Sequence, residues 1–389
     1  MATGSSAIQD LAGALTGPGT KWTLCLVGED QSQKFSQLSG ELHLPFSDSG
    51  DGKRISSGFS YWGVESTVAW VHACSDLFYP VMRESIENFH GRWSRIELGQ
   101  NGERFHYVSL GTGTGHKDRT ILDRLLPHNP DLRFLPVDIS PEMLRLGQRE
   151  SLRGTGISLD QVVPVQLDFS TARNAIELRR LVEHLVGDEP VLYSLLGNTL
   201  ANFEDDTGLL ELLLKELVRP QDRFLLEVAS TGGLDEESAQ AAAQEYQASP
   251  RFGEFVTSAV MHFTDLHINM DHVSFTPFVE DDRSVLVKVT YQNRTGEQLR
   301  LTLPDRSSVE FPDQDTIRLL ITRKYARNGL AKMIADAGAE EVHSDQPRIP
   351  AAFGRPSFGM DLMLLRPGIP ATSSPQPPAE PPTPNPFAS

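Results

Sequence analysis

The residue types best suited to chemistry fall at the ends of three successive β-prone runs. In "YVSLGTGTGHK", Gly111, Gly113 and Gly115 alternate before His116 and Lys117. Glycines at a strand-to-helix junction admit positive φ and let the backbone approach a ligand closely. A tight turn with no ligand is the plainer alternative. "LPVDIS" places Asp138 at the second strand end, where a carboxylate can accept from both hydroxyls of a ribose or serve as a turn or cap residue. "VQLDFS" supplies Asp168 and Phe169, an acceptor for an adenine amino group beside an aromatic that can cover a base. The three strand ends together describe a site for an adenosine-bearing ligand. His116 stands where a dinucleotide fold has its last, helix-packing glycine, so NAD and FAD are disfavoured. A lysine in triphosphate-loop spacing is also missing.

Positioning these residues requires a regular scaffold, and from His106 strands and helices alternate. "FHYVSLG", "LRFLPVDIS", "VVPVQLDFS", "PVLYSLLG" and "DRFLLEVA" read as strands. The segments between them have helical patterning, with Ser140 as a cap and Pro141 in the first turn of one. Such alternation predicts an α/β protein with a parallel sheet covered on both faces, ligands binding at the strands' carboxyl ends. With the three strand ends, it predicts the Rossmann-like sheet of a class I S-adenosylmethionine (SAM) methyltransferase. After Ala229 come two helices and a β-rich block, then "DTIRLLITRKY", "ARNGLAKMIADAGAEEV" and "FGMDLMLLRP", read as the strand, helix and strand that close the sheet. The expected organisation is an N-terminal extension over 1–57, partly disordered, and a core over 58–229 and 316–366. An inserted α+β lobe covers 230–315, and a disordered Pro-rich tail covers 367–389. Upstream, "KWTLCLVG" and "KFSQLSGELHLPF" are expected as strands. "VESTVAWVHACSDLFYPVMRESIENF" is expected as a helix, broken or kinked at Pro80, with Val68, Val71, Phe78, Met82, Ile86 and Phe89 on one side.

Composition narrows the partners. The 389 residues carry a formal charge of −17, which repels phosphate backbones and argues against nucleic-acid binding. Two cysteines, Cys25 and Cys74, make no disulfide framework and fit a reducing cytoplasm. The N-terminus lacks the basic segment of a signal peptide, and no run reaches the roughly 18 apolar residues of a membrane span. A cytoplasmic monomer acting on a small molecule is expected. His262, His267 and His272 are the sole histidine cluster; without ligand spacing, no metal site is expected.

In order, "YVSLGTGTGHK", "LPVDIS", "VQLDF", "LLGNTLANF" and "ITRKY" resemble motifs of the histidine-specific SAM-dependent methyltransferases, which make Nα-trimethylhistidine. The resemblance covers roughly residues 60 to 365 and is strongest from 107 to 203; "FYPVMRE" resembles the family's tyrosine-rich segment. It implies SAM as cofactor. Gly111, Gly113 and Lys117 would lie near its methionine portion, Asp138 at the ribose, and Asp168 with Phe169 at the adenine. Asn202, Tyr246 and Thr322 would serve catalysis, with Tyr61, Asn198 and Leu320 completing the acceptor's surroundings. Asn202 has an alternative as a turn residue, and the two tyrosines as ordinary half-buried aromatics. Glu227, at the fifth strand's end, is a candidate acid or base or a solvated loop carboxylate. The chain departs from the family where a substrate-binding glutamate and serine precede the lysine-tyrosine pair. Aligned on Lys324 and Tyr325, these positions hold Leu320 and Thr322. The implied activity is methyl transfer to an amino acid or natural-product-like amine, not histidine itself. The alternatives are a non-catalytic SAM-binding protein and, disfavoured by His116, a nicotinamide oxidoreductase.

Overall fold

The computed structural model describes residues 25–26, 31–77, 79–98, 104–346 and 358–368. The short β1 (Cys25–Leu26) lies parallel beside Val165–Gln166. The expected second strand is instead a helix, α1 (Gln31–Leu42). Phe35, Leu38 and Leu42 recur three and four residues apart, which gives a helix one apolar side, and Leu38 and Leu42 are buried. β2 (Lys53–Arg54) and the single turn α2 (Ser57–Ser60) follow. The long helix expected next is three: α3 (Val64–Cys74), α4 (Pro80–Glu87) and α5 (Phe89–Arg95). Pro80 starts a helix instead of kinking one, because its missing N–H is no loss at a first position. The buried side of α3 is Ser66, Thr67, Trp70, Ala73 and Cys74, while Val68 is exposed. Phe78 lies outside the described residues.

The core then runs β3 (His106–Leu110), α6 (His116–Leu125), β4 (Phe134–Asp138), α7 (Pro141–Ser151), β5 (Val165–Gln166), α8 (Ala172–Val186) and β6 (Val191–Leu195). α9 (Asp206–Leu212) passes into a π-helical turn at Leu213–Leu217, and β7 (Arg223–Thr231) completes the parallel set in the order β5-β4-β3-β6-β7. All five residues of β3, β4 and β6 are buried, as strands covered on both faces require. One face packs on α8 and α9, the other on α5 and α6.

Beyond β7 come α10 (Glu236–Gln247), α11 (Pro250–Phe263), β8 (Val273–Glu280), β9 (Ser284–Gln292), the hairpin of β10 (Leu299–Thr302) and β11 (Ser308–Phe311), and β12 (Thr316–Ala326). Ser258 on α11 hydrogen-bonds Ser66 of α3 at 3.0 Å, and Trp70 packs on Phe255 with ring centroids 4.9 Å apart, so that helix contact mixes small polar and aromatic side chains. α12 (Arg327–Asp336), β13 (Ala339–Asp345) and β14 (Phe358–Pro367) end the described chain. The expectation for β12 is corrected: it pairs along its length with β9 and at its start with β2, and meets β7 only at Tyr325–Ala326. β14, antiparallel, and then β13 extend the core sheet beyond β7. Ten of the eleven residues of β12 are buried, and a strand hidden on both faces reads alike in either sheet. The helix expected over "ARNGLAKMIADAGAEEV" stops at Asp336 and its last residues belong to β13, a strand hidden from sequence because "AEEVHSD" has no apolar alternation. Gly338, at φ 76°, is the left-handed residue that separates the two. Pro367 pairs with Ala339, so it ends a strand and does not begin the tail; residues 369–389 lie outside the described residues. Among the described residues no helix is long and apolar enough to cross a membrane.

Candidate active site

The glycine loop joins β3 to α6, and all three glycines have positive φ: 73°, 51° and 77°. A side chain on Gly113 would project into open space, its nearest neighbour being Trp70 Nε1 at 4.0 Å. A Cβ on Gly115 would stand 2.2 Å from the Gly147 carbonyl oxygen of α7. Gly115 is therefore required for close packing of the loop on α7, a contact distinct from the helix-to-sheet packing that a dinucleotide fold's last glycine serves. His116 opens α6 with its ring half exposed, 3.6 Å from Glu150.

The loop borders a cavity at the carboxyl ends of β3, β4 and β6. Its wall includes Gly111, Gly113, Lys117, Asp138, Ile139, Phe169, Tyr61, Trp70, Cys74, Met82 and Asn202. Asp138 is buried; its Oδ1 accepts from the Ser140 backbone N–H at 3.0 Å, its Oδ2 has a long contact of 3.5 Å from the Thr112 hydroxyl, and the backbone N–H groups of Thr112 and Gly113 also favour its charged form. Burial pushes its carboxyl up to about 7. Asp168, expected with Phe169 at the adenine, is absent from that wall and lines a second cavity instead. It pairs with Lys34 of α1 and accepts from the Ser170 backbone at 3.0 Å. Burial alone would raise its carboxyl, but Lys34 holds it below the ordinary carboxylate range. Phe169, Ile139 and Asn202 belong to both walls, so the two spaces adjoin.

Glu227 is neither the acid-base residue nor the solvated carboxylate considered above. It is fully buried, accepting from Arg92 at 2.9 Å, Ser85 at 3.0 Å and the Gly197 backbone at 2.9 Å, and paired with Lys117. Burial would raise its carboxyl, yet Lys117 and Arg92 together hold it low. Its work is to tie α4, α5 and α6 to β7.

The acceptor residues divide. Asn202 donates to the Tyr61 hydroxyl at 2.9 Å on the cavity wall, joining the two residues named from the sequence. Burial drives the Tyr61 phenol far above its ordinary value, so it stays protonated. Asn198, in the left-handed region at φ 66°, is buried and bonds Thr322 at 3.3 Å and the Arg323 carbonyl at 3.1 Å, and accepts from the Ala229 backbone at 2.8 Å. Asn198 and Thr322 thus clamp β6 to β12 and do not line the cavity, contrary to the role expected of them. Tyr246 is also displaced from its expected place: it is buried between Phe252, 4.8 Å away, and Tyr79, 5.6 Å away, under the Lys324 ammonium at 4.9 Å. Leu320 lines the second cavity with Arg318 and Arg54. Neither arginine, nor Trp70, was anticipated; the "RLL" of β12 carries no local signal of where its arginine points. His262 pairs with Glu65 at 3.2 Å, and no group of three or more metal-ligating side chains occurs among the described residues.

A buried carboxylate at the second strand end, the open approach at Gly113 and the aromatic Phe169 on one cavity wall fit a bound SAM. With the order β5-β4-β3-β6-β7 and antiparallel β14 alongside β7, fold and site define a class I SAM-dependent methyltransferase. A family model described as histidine-specific methyltransferase, SAM-dependent, matches residues 76–346, and the chain belongs to that family. Among solved structures it is similar to a SAM-dependent methyltransferase from Clostridium acetobutylicum ATCC 824, at 14% identity over 78% of this chain and 92% of that one, TM-score 0.34. It is likewise similar to the CcbJ methyltransferase from Streptomyces caelestis, at 14% identity over 83% and 100%, TM-score 0.32. A SAM-dependent methyltransferase from Anabaena variabilis ATCC 29413 shares 10% identity over 78% and 96%, TM-score 0.39. No curated protein matches the chain in sequence.

Proposed function

We propose that the chain transfers the methyl of SAM to the amine of a small-molecule acceptor other than free histidine. The observation that carries this reading is the Tyr61–Asn202 pair on the cofactor cavity, with Leu320 in the adjoining space where the family motif has a carboxylate. SAM, when bound, supplies an electrophilic methyl on a sulfonium, which leaves positioning and water exclusion to the protein. Tyr61 and Asn202 offer the acceptor a phenol proton and an amide oxygen. A phenol held protonated by burial is no base, and Glu227 is locked in its ion pairs. The amine must therefore reach the site neutral, and the apolar wall of Trp70, Cys74 and Met82 favours the neutral form by desolvation.

The test follows S-adenosylhomocysteine (SAH) release with SAM and a panel of amines and amino acids. Histidine is expected to turn over poorly, since a lost charge-assisted hydrogen bond forfeits roughly 1.5–3 kcal/mol, about one to two decades. Leu320→Glu is expected to shift preference toward histidine. Histidine outpacing every other acceptor in the wild-type protein would sink the proposal. Absence of turnover with every amine, despite SAH binding, would favour a SAM-binding protein without catalysis.

A further inference from the structure

The second cavity is walled by three ion pairs. Lys34–Asp168 and Arg54–Glu41 keep the carboxylate well buried, and backbone N–H groups of Ser170 and Ser56 also bond those carboxylates. Arg318–Glu204 is inverted. The Arg318 side chain is 8% exposed, whereas that of Glu204 is 64% exposed. Among the described residues the Arg318 guanidinium hydrogen-bonds no other side-chain acceptor, although its charge reaches the exposed Asp51 carboxylate, and the Glu204 carboxylate has no other hydrogen-bond donor. A buried guanidinium thus faces the cavity with a counterion that can swing into water. Because the carboxylate side of this pair is solvated, it holds its cation less firmly than the two pairs whose carboxylates are buried. A guanidinium presents a fork matched to carboxylate and phosphate oxygens. The ladder between β12 and β9 slips by one residue between Arg318 and Leu320, an irregularity of the sort that re-aims side chains. Arg318 and Leu320 both line the cavity, so a cationic and an apolar surface lie two residues apart.

We infer that Arg318 is the specificity-determining residue of the acceptor recess, and that the acceptor carries a carboxylate or phosphate group on its side chain, beyond any α-carboxylate beside the amine that is methylated. This rests on the reading that the acceptor is a small amine. The amine is presented near Asn202, which belongs to both cavities, the connecting chain lies against Leu320, and the anionic group takes the place of Glu204 on Arg318. An apolar side chain at 320 thus replaces a recognition group for imidazole, and the cation two residues earlier recognises a charge of the opposite kind.

The full-length protein saturated with SAH is titrated calorimetrically with L-glutamate, O-phospho-L-serine and, as a neutral control, L-glutamine. Both acidic probes are expected to bind and glutamine to bind at least about tenfold more weakly. The two acidic arms separate a carboxylate from a phosphate preference. Arg318→Gln is expected to weaken the acidic probes by at least about tenfold, and Glu204→Gln, an exposed change, to tighten them severalfold by removing the competitor. SAH affinity stays unchanged in both. Equal binding of glutamine and glutamate, no binding of either acid, or wild-type affinity in Arg318→Gln overturns the inference; should that variant misfold, unchanged affinity in Glu204→Gln does so. Methylation of amines with and without an anionic group at equal rates also overturns it while leaving the amine-methyltransferase reading intact. Saturable binding of the acids with no methylation of any amine does the reverse.

Discussion

Replacing Glu227 by glutamine is expected to destabilise the fold by about 3–5 kcal/mol, the cost of removing one partner from a buried ion pair. The variant keeps the shape but leaves Arg92 and Lys117, both well buried, without their shared counter-charge. Neither can recover full solvation: Arg92 is also committed to Asp345 at 3.2 Å and to the Met360 carbonyl, so the guanidinium cannot withdraw. Urea unfolding of both proteins at neutral pH measures the difference. The sign of its pH dependence follows from the depressed carboxyl of Glu227. Stability from such a group is fully present above the unfolded glutamate value and is lost as pH falls through the folded one. The gap between wild type and variant therefore narrows in acid. A loss below about 1 kcal/mol at neutral pH would show that the network is solvated.

Asp138→Ala is expected to weaken SAH binding at least about tenfold, because a carboxylate accepting from ribose hydroxyls contributes roughly 1.5–3 kcal/mol. The wild-type protein carries a pH signature as well. The Asp138 carboxyl lies at about 7, raised by burial, and only its ionised form can accept from both hydroxyls. Affinity is expected to fall as pH drops through that value, with binding accompanied by proton release near it. Calorimetry in buffers of different ionisation enthalpy counts the protons. Asp138→Asn should lose both the proton release and the pH slope. Unaltered affinity in Asp138→Ala would place the ribose elsewhere.

Local chain chemistry made the cofactor half of the site legible. Gly111, Gly113 and Gly115 need positive φ, Asp138 follows a run that is apolar throughout, and Ser140 caps the next helix, accepting from the Met143 backbone at 3.1 Å. Each is a property of a few consecutive residues, so the alternation of strands and helices and the strand-end residues could be read off in order. The second demand on Gly115 is not legible locally, since its packing partner is the carbonyl of Gly147 on another helix.

The acceptor half depended on contacts distant in sequence. Whether β12 joined the core or the lobe was decided by its pairing with β9, and a strand buried on both faces carries no periodicity that distinguishes the two. Tyr61 and Tyr246 were equivalent candidates as aromatics. Only the packing of α10 against Tyr79 and Phe252 hides Tyr246, while Asn202, 141 residues away, holds Tyr61 at the cavity. Asp168 is governed by Lys34 at a separation of 134 residues, and Arg318 by Glu204 at 114. A charged residue looks the same in sequence whether its partner is buried, exposed or displaceable. The sequence by itself determined the parallel strands, their glycine loop and the carboxylate at the second strand end, because those follow from local dihedrals and short-range patterning. Which side chains face the acceptor, and with what charge, was decided only by the tertiary structure, because burial and pairing are set by elements that meet after the chain has folded.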